Sequence, residues 1–497
     1  MAEPRIYEEP MSAQLMVETG SLYVDGAWVD STSGETFEAT SPSTGEVIAS
    51  LAKGGREDVG QAVDAANRAA DGWARLSAFD RAAAMDRIGD AIEARKDNLA
   101  RTLTLDQGKP LVAEAYAEVE ELVAYFRMAA ADATRLEGLI PPSIDADKRV
   151  LIYRVPRGVV GVISPWNWPY TMPGEILAPA LAAGNAVVWN PASNTSLCAV
   201  RLAECILEAD LPKGVFNLVL GPGSVVGDEI SGHPGIGAVG FIGSIEAGHL
   251  VAQRAAGKEL LLEMGGNGPL VVLDDADMAA AATATLTACF LNAGQSCTAG
   301  ELVLVTERVH DRYLDALHAA IDREIRLGDP FDPQTTMGPI NNEATAAKTE
   351  RHVADARARG AQILHGGDRR PNLGSPLFFE PTVLDAVTRD MEIAREETFG
   401  PVVPVATIHD VDQAIGIVND SPYGLLSAVF TADLRAGLRF AESIRAGWVN
   451  INEGTNYWES HLPFGGRAGS QSGVGRVGGR FSMERLTELK TVVVNLG

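Results

Sequence analysis

Residues 159–190 read VVGVISPWNWPYTMPGEILAPALAAGNAVVWN, and the order of textures in that stretch decides the fold. Residues 159–164 are apolar throughout, as a strand covered on both faces is, and residues 172–183 carry apolar side chains at helical spacing. Residues 186–189 are a second apolar run, so the stretch reads strand, loop, helix, strand. A buried strand that returns through a helix to a second buried strand makes a right-handed crossover, the unit of a parallel sheet. The loop Pro165-Trp-Asn-Trp-Pro169 follows the first strand, at the end of an open α/β sheet where ligands bind. Its prolines fix the chain around Asn167, which is either a turn residue or a well-placed amide donor between two tryptophans.

The same alternation runs outward. Residues 215–220, 238–241 and 260–263 are further apolar strands, separated by helical stretches at 195–209, 224–231 and 245–256. A second α/β segment begins at Pro269, with a strand at 302–305 and a long helix near 309–325, and alternates to Asn452. Upstream, residues 21–29 and 46–51 read as short strands between Ser/Thr/Gly turns, the small β element that opens the fold. Residues 57–138 are Ala-rich with helical periodicity interrupted at 77–80 and 108–110, which predicts three helices. Residues 148–154 alternate apolar and polar as a half-buried strand does, and the Gly-rich run 465–479 reads as a turn-rich segment.

At roughly 150 residues per domain, a chain of 497 is too long for one core and implies two or three domains. Hydrophobic residues at 46% and charged residues at 22% are those of a chain most of which folds. Lys and Arg number 41 against 66 Asp and Glu, a net charge of −25 with no basic cluster, which excludes nucleic acid as a partner. The apolar runs are strand-length, far short of the ~20 residues that span a bilayer, so no membrane association is expected. Residues 1–20 are acidic and mixed, without the basic start and apolar run of a secretion signal, and are expected to be mobile. Four cysteines without zinc-type pairing fit a reducing, cytoplasmic setting, and no metal site is expected.

Among those cysteines, Cys198, Cys205 and Cys289 sit in helical patterns among apolar neighbours and read as inert core. Cys297 stands apart in Asn292-Ala-Gly-Gln-Ser-Cys-Thr-Ala-Gly300, where Gly294 and Gly300 bracket a turn that leaves the thiol within reach of a ligand. Glu263 ends an apolar strand before Met-Gly-Gly, so its carboxylate has either a salt-bridge partner or a reason to be desolvated. Gly221, Gly223 and Gly227 lie between a strand and a helix, but their spacing is a weak form of a dinucleotide fingerprint.

Together these runs resemble the aldehyde dehydrogenase superfamily from about residue 21 to 494. Its motifs stand in order as Pro165-Trp-Asn-Trp-Pro169, Pro179-Ala-Leu-Ala182, Phe241-Ile-Gly-Ser244, Glu263-Met-Gly-Gly266, Gly294-Gln-Ser-Cys297, Glu396-Glu-Thr-Phe-Gly-Pro401 and Pro463-Phe-Gly-Gly466. The resemblance implies that Cys297 is the nucleophile, Asn167 an oxyanion donor and Glu263 the base that activates water against a thioester. It further implies NAD as cofactor, with NADP also admitted, and cofactor contacts from Ser164, Trp166, Asn190, Ser193, Gly223, Gly227, Phe241, Ser244, Glu397 and Phe399. The implied substrate is a small aldehyde, oxidised to the acid. The implied pocket takes in Glu175, Ser296, Thr298 and the aromatic, polar-rimmed loop carrying Tyr457, Trp458 and His461.

Lysines common in the family are replaced by Ile176, Asn190, Asn267 and Ala468, and Ser193 stands where many NAD-preferring members have Glu. The loss of these lysines raises a rival reading, a catalytically silent cofactor-binding homologue. A coenzyme A-acylating enzyme is a second rival, against which the presence of Glu263 argues. The implied architecture is α/β: a Rossmann-like cofactor domain (1–140 and 158–263), a catalytic domain (264–464) and a small β oligomerisation arm (141–157 and 480–497). Residues 465–479 return the chain to the cofactor domain, and a homodimer or homotetramer is expected.

Overall fold

The computed structural model describes residues 21–497 and the backbone of Met16–Val17, so the expected mobile start lies almost wholly outside the described residues. Val159–Ser164 and Ala186–Pro191 are buried along their whole length at the middle of an eight-stranded sheet. Its order is Gly473–Val474, Glu259–Met264, Ala238–Gly243, Val159–Ser164, Ala186–Pro191, Phe216–Leu218, Leu22–Val24, Ala27–Val29. The strands from Glu259–Met264 to Phe216–Leu218 are parallel, and the outer ones pair antiparallel. From Val159–Ser164 the chain winds to one side and later returns on the other at Ala238–Gly243, so the strand order reverses between these two. At that reversal the loops leaving both strands diverge and open a crevice lined by Trp166, Asn167, Gly243 and Ser244.

Residues 265–268 carry the chain from Glu259–Met264 straight into a second, seven-stranded sheet through Pro269–Val272. That sheet runs Gln362–His365, Thr382–Asp385, Val402–Ile408, Leu302–Thr306, Pro269–Val272, Leu426–Phe430, Trp448–Ile451, parallel except at the first pair. The helix Met278–Phe290 packs on it, with Asp277 capping its first N–H groups. The mixed α/β class with parallel sheets is the one expected.

Between residues 56 and 133 there are four α-helices rather than three: Arg56–Ala74, Ala78–Ala94, Lys96–Gln107 and Tyr116–Ala133. The extra break falls at Arg95 (φ −104°, ψ 14°), which ends one helix and begins the next with no Gly or Pro to announce it. The strand expected over 215–220 shortens to Phe216–Leu218, and the helix expected over 224–231 splits into the wide turn Gly223–Gly227 and the helix Asp228–Gly232. Lys148–Pro156 pairs antiparallel with Thr487–Asn495 along its full length, from Thr487 opposite Pro156 to Asn495 opposite Lys148. This ribbon is a separate two-stranded sheet.

Candidate active site

Cys297 reaches the crevice because the chain turns sharply after the helix Met278–Phe290. Asn292, Ala293 and Gly294 adopt consecutive left-handed conformations (φ 51°, 54° and 75°), a conformation that costs energy for the first two. Hydrogen bonds hold the turn in place. The Asn292 N–H donates to both carboxylate oxygens of Glu114 at 3.0 Å, its amide donates to the Asn167 carbonyl at 2.8 Å, and the Gln295 amide donates back to the Asn292 carbonyl at 2.7 Å. Gly294 is obligatory, because a Cβ there would stand 2.1 Å from the Gly400 carbonyl oxygen.

The Asn167 side-chain amide donates to the Gln295 carbonyl at 3.1 Å, which sets it against the turn that carries Cys297. Glu263 ends the strand Glu259–Met264 and faces the same space, nearly fully buried, with both carboxylate oxygens lacking a hydrogen-bond partner. Gly465 (φ +149°) lets the backbone come close to it; a Cβ there would lie 2.4 Å from Oε1. Burial raises the Glu263 carboxyl well above the ordinary carboxylate range, and the Glu175 charge adds to the effect. The Cys297 thiol is pushed up by burial and by the carboxylates of Glu397, Glu175 and Glu263, while its own backbone N–H favours the thiolate.

These groups share one cavity of about 670 Å³. Towards one end, Trp166 and Phe399 meet edge to face with ring centroids 5.6 Å apart, and Glu397 accepts from the Gly266 N–H at 3.0 Å. Phe399 sits at φ +63°, and its N–H and that of Thr398 both donate to the buried Glu301 carboxylate at 2.8 Å, which fixes this turn. Ser244 caps the helix Ile245–Arg254 by accepting from the Ala247 N–H, and it also lines the cavity. At another wall Trp458 packs between Tyr125 and Phe464, and the Tyr125 hydroxyl donates to Glu175 at 2.6 Å.

Of the residues singled out from sequence, Cys297, Glu263, Asn167, Trp166, Ser244, Glu397, Phe399, Glu175, Ser296, Thr298 and Trp458 line this cavity. Others are placed elsewhere. Asn190 is buried and its amide donates to the Val219 and Gly221 carbonyls, so its short side chain serves the backbone and presents no donor outward. Phe241 packs into the core beneath the crevice, and the Ser164 hydroxyl accepts from the Trp189 indole. Ser193 opens a short 3-10 turn outside the cavity, while Gly223 borders open space and Gly227 lies buried beside Asn190. In the loop after Asn452 only Asn456 and Trp458 turn inward; Tyr457 points to solvent with its hydroxyl on Glu459, and the His461 side chain is exposed.

The positions of the missing lysines are put to other uses. Ile176 is fully buried, Asn267 donates its amide to the Glu396 carbonyl at 3.3 Å, and Ala468 is exposed. The structure adds lining residues that the sequence did not single out: Lys109, Glu121, Met172, Lys348 and Leu425. Glu121 and Lys348 are charges on helices, a pattern that reads as a solvent face until the packing is known.

A cysteine thiol, a side-chain amide and an unpaired carboxylate thus gather in one cavity at the switch point of a parallel sheet, where open α/β sheets bind ligands. The aldehyde dehydrogenase family pattern matches residues 28–492, and the chain belongs to that family. It is 37% identical over 475 residues to succinate-semialdehyde dehydrogenase [NADP(+)] of Escherichia coli (strain K12), covering 95% of this chain and 97% of that protein. It is 38% identical over 470 residues to glutarate-semialdehyde dehydrogenase of Pseudomonas aeruginosa, covering 94% and 96%. Among solved structures, betaine aldehyde dehydrogenase of Staphylococcus aureus in complex with NAD+ superimposes with a TM-score of 0.93 at 37% identity, covering 96% of this chain and 95% of that one. The protein is an NAD(P)-dependent aldehyde dehydrogenase, which oxidises an aldehyde to the carboxylic acid.

Proposed function

We propose that Cys297 is the nucleophile, that Asn167 and the Cys297 backbone N–H hold the oxyanion, and that Glu263 activates the hydrolytic water. The observation that carries this reading is the burial of Glu263 in the Cys297 cavity with neither oxygen partnered, a carboxylate kept free to take a proton. Once the Cys297 thiol has given its proton to solvent water, attack by the sulfur on the carbonyl carbon forms a C–S bond and moves the carbonyl electron pair onto oxygen, where the preset donors meet it. A nicotinamide cofactor held by Trp166, Phe399 and Glu397 would supply the hydride acceptor for this carbon. The thioester left on Cys297 is cleaved by a water whose proton passes to Glu263, the C–S bond breaks and the acid departs. Asn167 needs no reorganisation for its part, since its amide is already fixed against the nucleophile turn.

The cofactor fits the residues present. Gly223 opens a turn onto free space, Ser244 sits at a helix N-terminus on the crevice, Glu397 offers a carboxylate for ribose hydroxyls, and Trp166 with Phe399 supplies flat walls. Ser193 brings no carboxylate against a 2′-phosphate, so both NAD and NADP are accommodated. A coenzyme A-dependent acyl transfer has no use for Glu263, and a silent homologue has no use for the Cys297, Asn167 and Glu263 set. We place the enzyme in the reducing cytoplasm on its four unpaired cysteines, and assign the Lys148–Pro156 and Thr487–Asn495 ribbon to subunit contact in a homodimer or homotetramer. The test is the absorbance of reduced nicotinamide with NAD and NADP in parallel, across aliphatic, hydroxylated, charged and aromatic aldehydes. Silence with both cofactors across the panel would favour the silent homologue.

A further inference from the structure

The wall of the cavity formed by the helix Tyr116–Ala133 and its neighbours holds more carboxyl groups than its cations meet. Glu114, Glu118, Glu121 and Glu175 line it against the single cation Lys109, and among the described residues no arginine lines the cavity. Glu118 accounts for Lys109: the two meet at 2.5 Å, both fully buried, and the second Glu118 oxygen accepts from the Tyr170 N–H at 3.0 Å. Glu114 is spent on the Asn292 N–H. Glu175 has one oxygen on the Tyr125 hydroxyl and no cation beside it, and Glu121 has no hydrogen-bond or ion-pair partner among the described residues. The other lysine of the cavity, Lys348, acts on Glu397 and Glu301. Two aromatic rings complete this wall, Trp168 with Lys109 Nζ 4.1 Å from its centroid, and Trp458 against Tyr125.

Carboxylates withdrawn from water without cations stay ionised only at a cost, and a ligand that brings a positive charge removes it. Resting on the dehydrogenase reading above, we infer that the substrate is a cationic aldehyde, an amino or quaternary ammonium aldehyde whose charge is met by Glu121 and Glu175 beside the Trp458 ring while its carbonyl faces Cys297. A second observation points the same way. The nine-tenths-buried Glu263 carboxyl, with neither oxygen hydrogen-bonded, opens onto the same space, so an anionic substrate group would meet carboxyl groups there and no cation that this wall leaves unpaired. The Trp458 ring adds attraction for an ammonium group and none for a carboxylate. Relatives of nearly equal identity bear names with opposite substrate charge, a succinate semialdehyde and a betaine aldehyde, so identity does not choose between them and the lining does.

The test compares kcat/KM for three aldehydes on the full-length enzyme with saturating cofactor: 3-(trimethylammonio)propanal, its neutral isostere 4,4-dimethylpentanal, and anionic 4-oxobutanoate. The cation is expected to exceed the isostere by about tenfold or more, and the anion to be the poorest. Glu121→Gln and Glu175→Gln are each expected to lower the cation-to-isostere ratio by about tenfold, through KM. Equal or better use of the isostere or the anion by the wild type overturns the inference while leaving the dehydrogenase reading intact. An unchanged ratio in both variants, with circular dichroism showing that they fold, overturns it too. The wild-type comparison needs no variant, so a misfolded mutant does not shield the proposal. Absence of turnover with every aldehyde overturns the dehydrogenase reading and the inference with it.

Discussion

Burial and three carboxylates oppose ionisation of the Cys297 thiol, so its reactivity depends on how the site handles one proton. Cys297→Ala is expected to abolish aldehyde oxidation and any ester hydrolysis, measured as reduced nicotinamide and as released phenol. On the assignment proposed above, Glu263→Gln removes the deacylation base, so it is expected to give a burst close to one reduced cofactor per active site and then to stall; full-rate steady turnover would show that another group is the base. The pH dependence of binding follows from the other carboxylates. Burial and the Glu118 charge raise Glu121 to about 7, with Lys109 opposing, and burial raises Glu175 to about 8, with Glu121 adding and the Tyr125 hydroxyl opposing. Both are protonated below those values and ionised above them, and a bound cation favours the ionised form. For the trimethylammonio aldehyde, KM is therefore expected to fall as pH rises through 7 and 8, while KM for the neutral isostere does not follow it; a parallel pH profile for both would count against the assignment. The sequence made Cys297, Asn167 and Glu263 legible because each sits in a fixed motif between a strand and a glycine-rich or proline-rich turn. Glu121 was not legible, since one carboxylate in the run Glu118-Val-Glu-Glu121 differs from its neighbours only in which way the helix faces. Tyr457 and His461 lie outside the cavity that Trp458 lines, because the register of a loop decides which residue turns inward.

At the scale of elements, one buried ion pair ties the site to the scaffold. Lys109 follows Gly108, whose left-handed φ of 101° ends the helix Lys96–Gln107, and its ammonium meets Glu118 on the helix Tyr116–Ala133. Glu118 in turn accepts from the N–H groups of Tyr170 and Thr171 at the start of the helix Thr171–Ala182, just past the Asn167 loop. Replacing Lys109 by Met leaves Glu118 charged and buried without its partner. Lys109→Met is expected to destabilise the fold by about 3–5 kcal/mol in denaturant unfolding, and Lys109→Met with Glu118→Gln by less than the sum of the two single changes. Additivity of the two would show that they do not act as a pair. The same region shows where sequence reading stops. Apolar strands such as Val159–Ser164 and Ala238–Gly243 declare themselves because burial on both faces forces a continuous apolar run. The break at Arg95 and the three-residue strand Phe216–Leu218 carry no composition signal, because tertiary packing sets their limits.

For the whole molecule, the ribbon of Lys148–Pro156 and Thr487–Asn495 stands outside both large sheets. A two-stranded ribbon in water is marginal by itself, and this one exposes apolar side chains that a monomer has no use for: Leu489 is 60% and Val493 56% exposed, and they lie on one face, four residues apart. Leu139, Ile140 and Ile144, which precede the ribbon, are exposed as well, and Leu139 bridges to Ile152 of the ribbon. Apolar surface gathered at a strand pair with open edges is the usual mark of a face covered by another chain. None of these residues lines the catalytic cavity, so assembly and chemistry are separable. Wild-type enzyme is expected to show a dimeric or tetrameric mass in light scattering, and Leu489→Asp with Val493→Asp to move it towards the 52.5 kDa of a single chain. The variant is expected to keep its preference among aldehydes, because Glu121, Glu175 and Cys297 are held by elements within one chain, and to lose thermal stability as the ribbon loses its cover. A wild type that already runs at 52.5 kDa would remove the ribbon as a subunit contact and leave its exposed apolar face to be explained by a different partner.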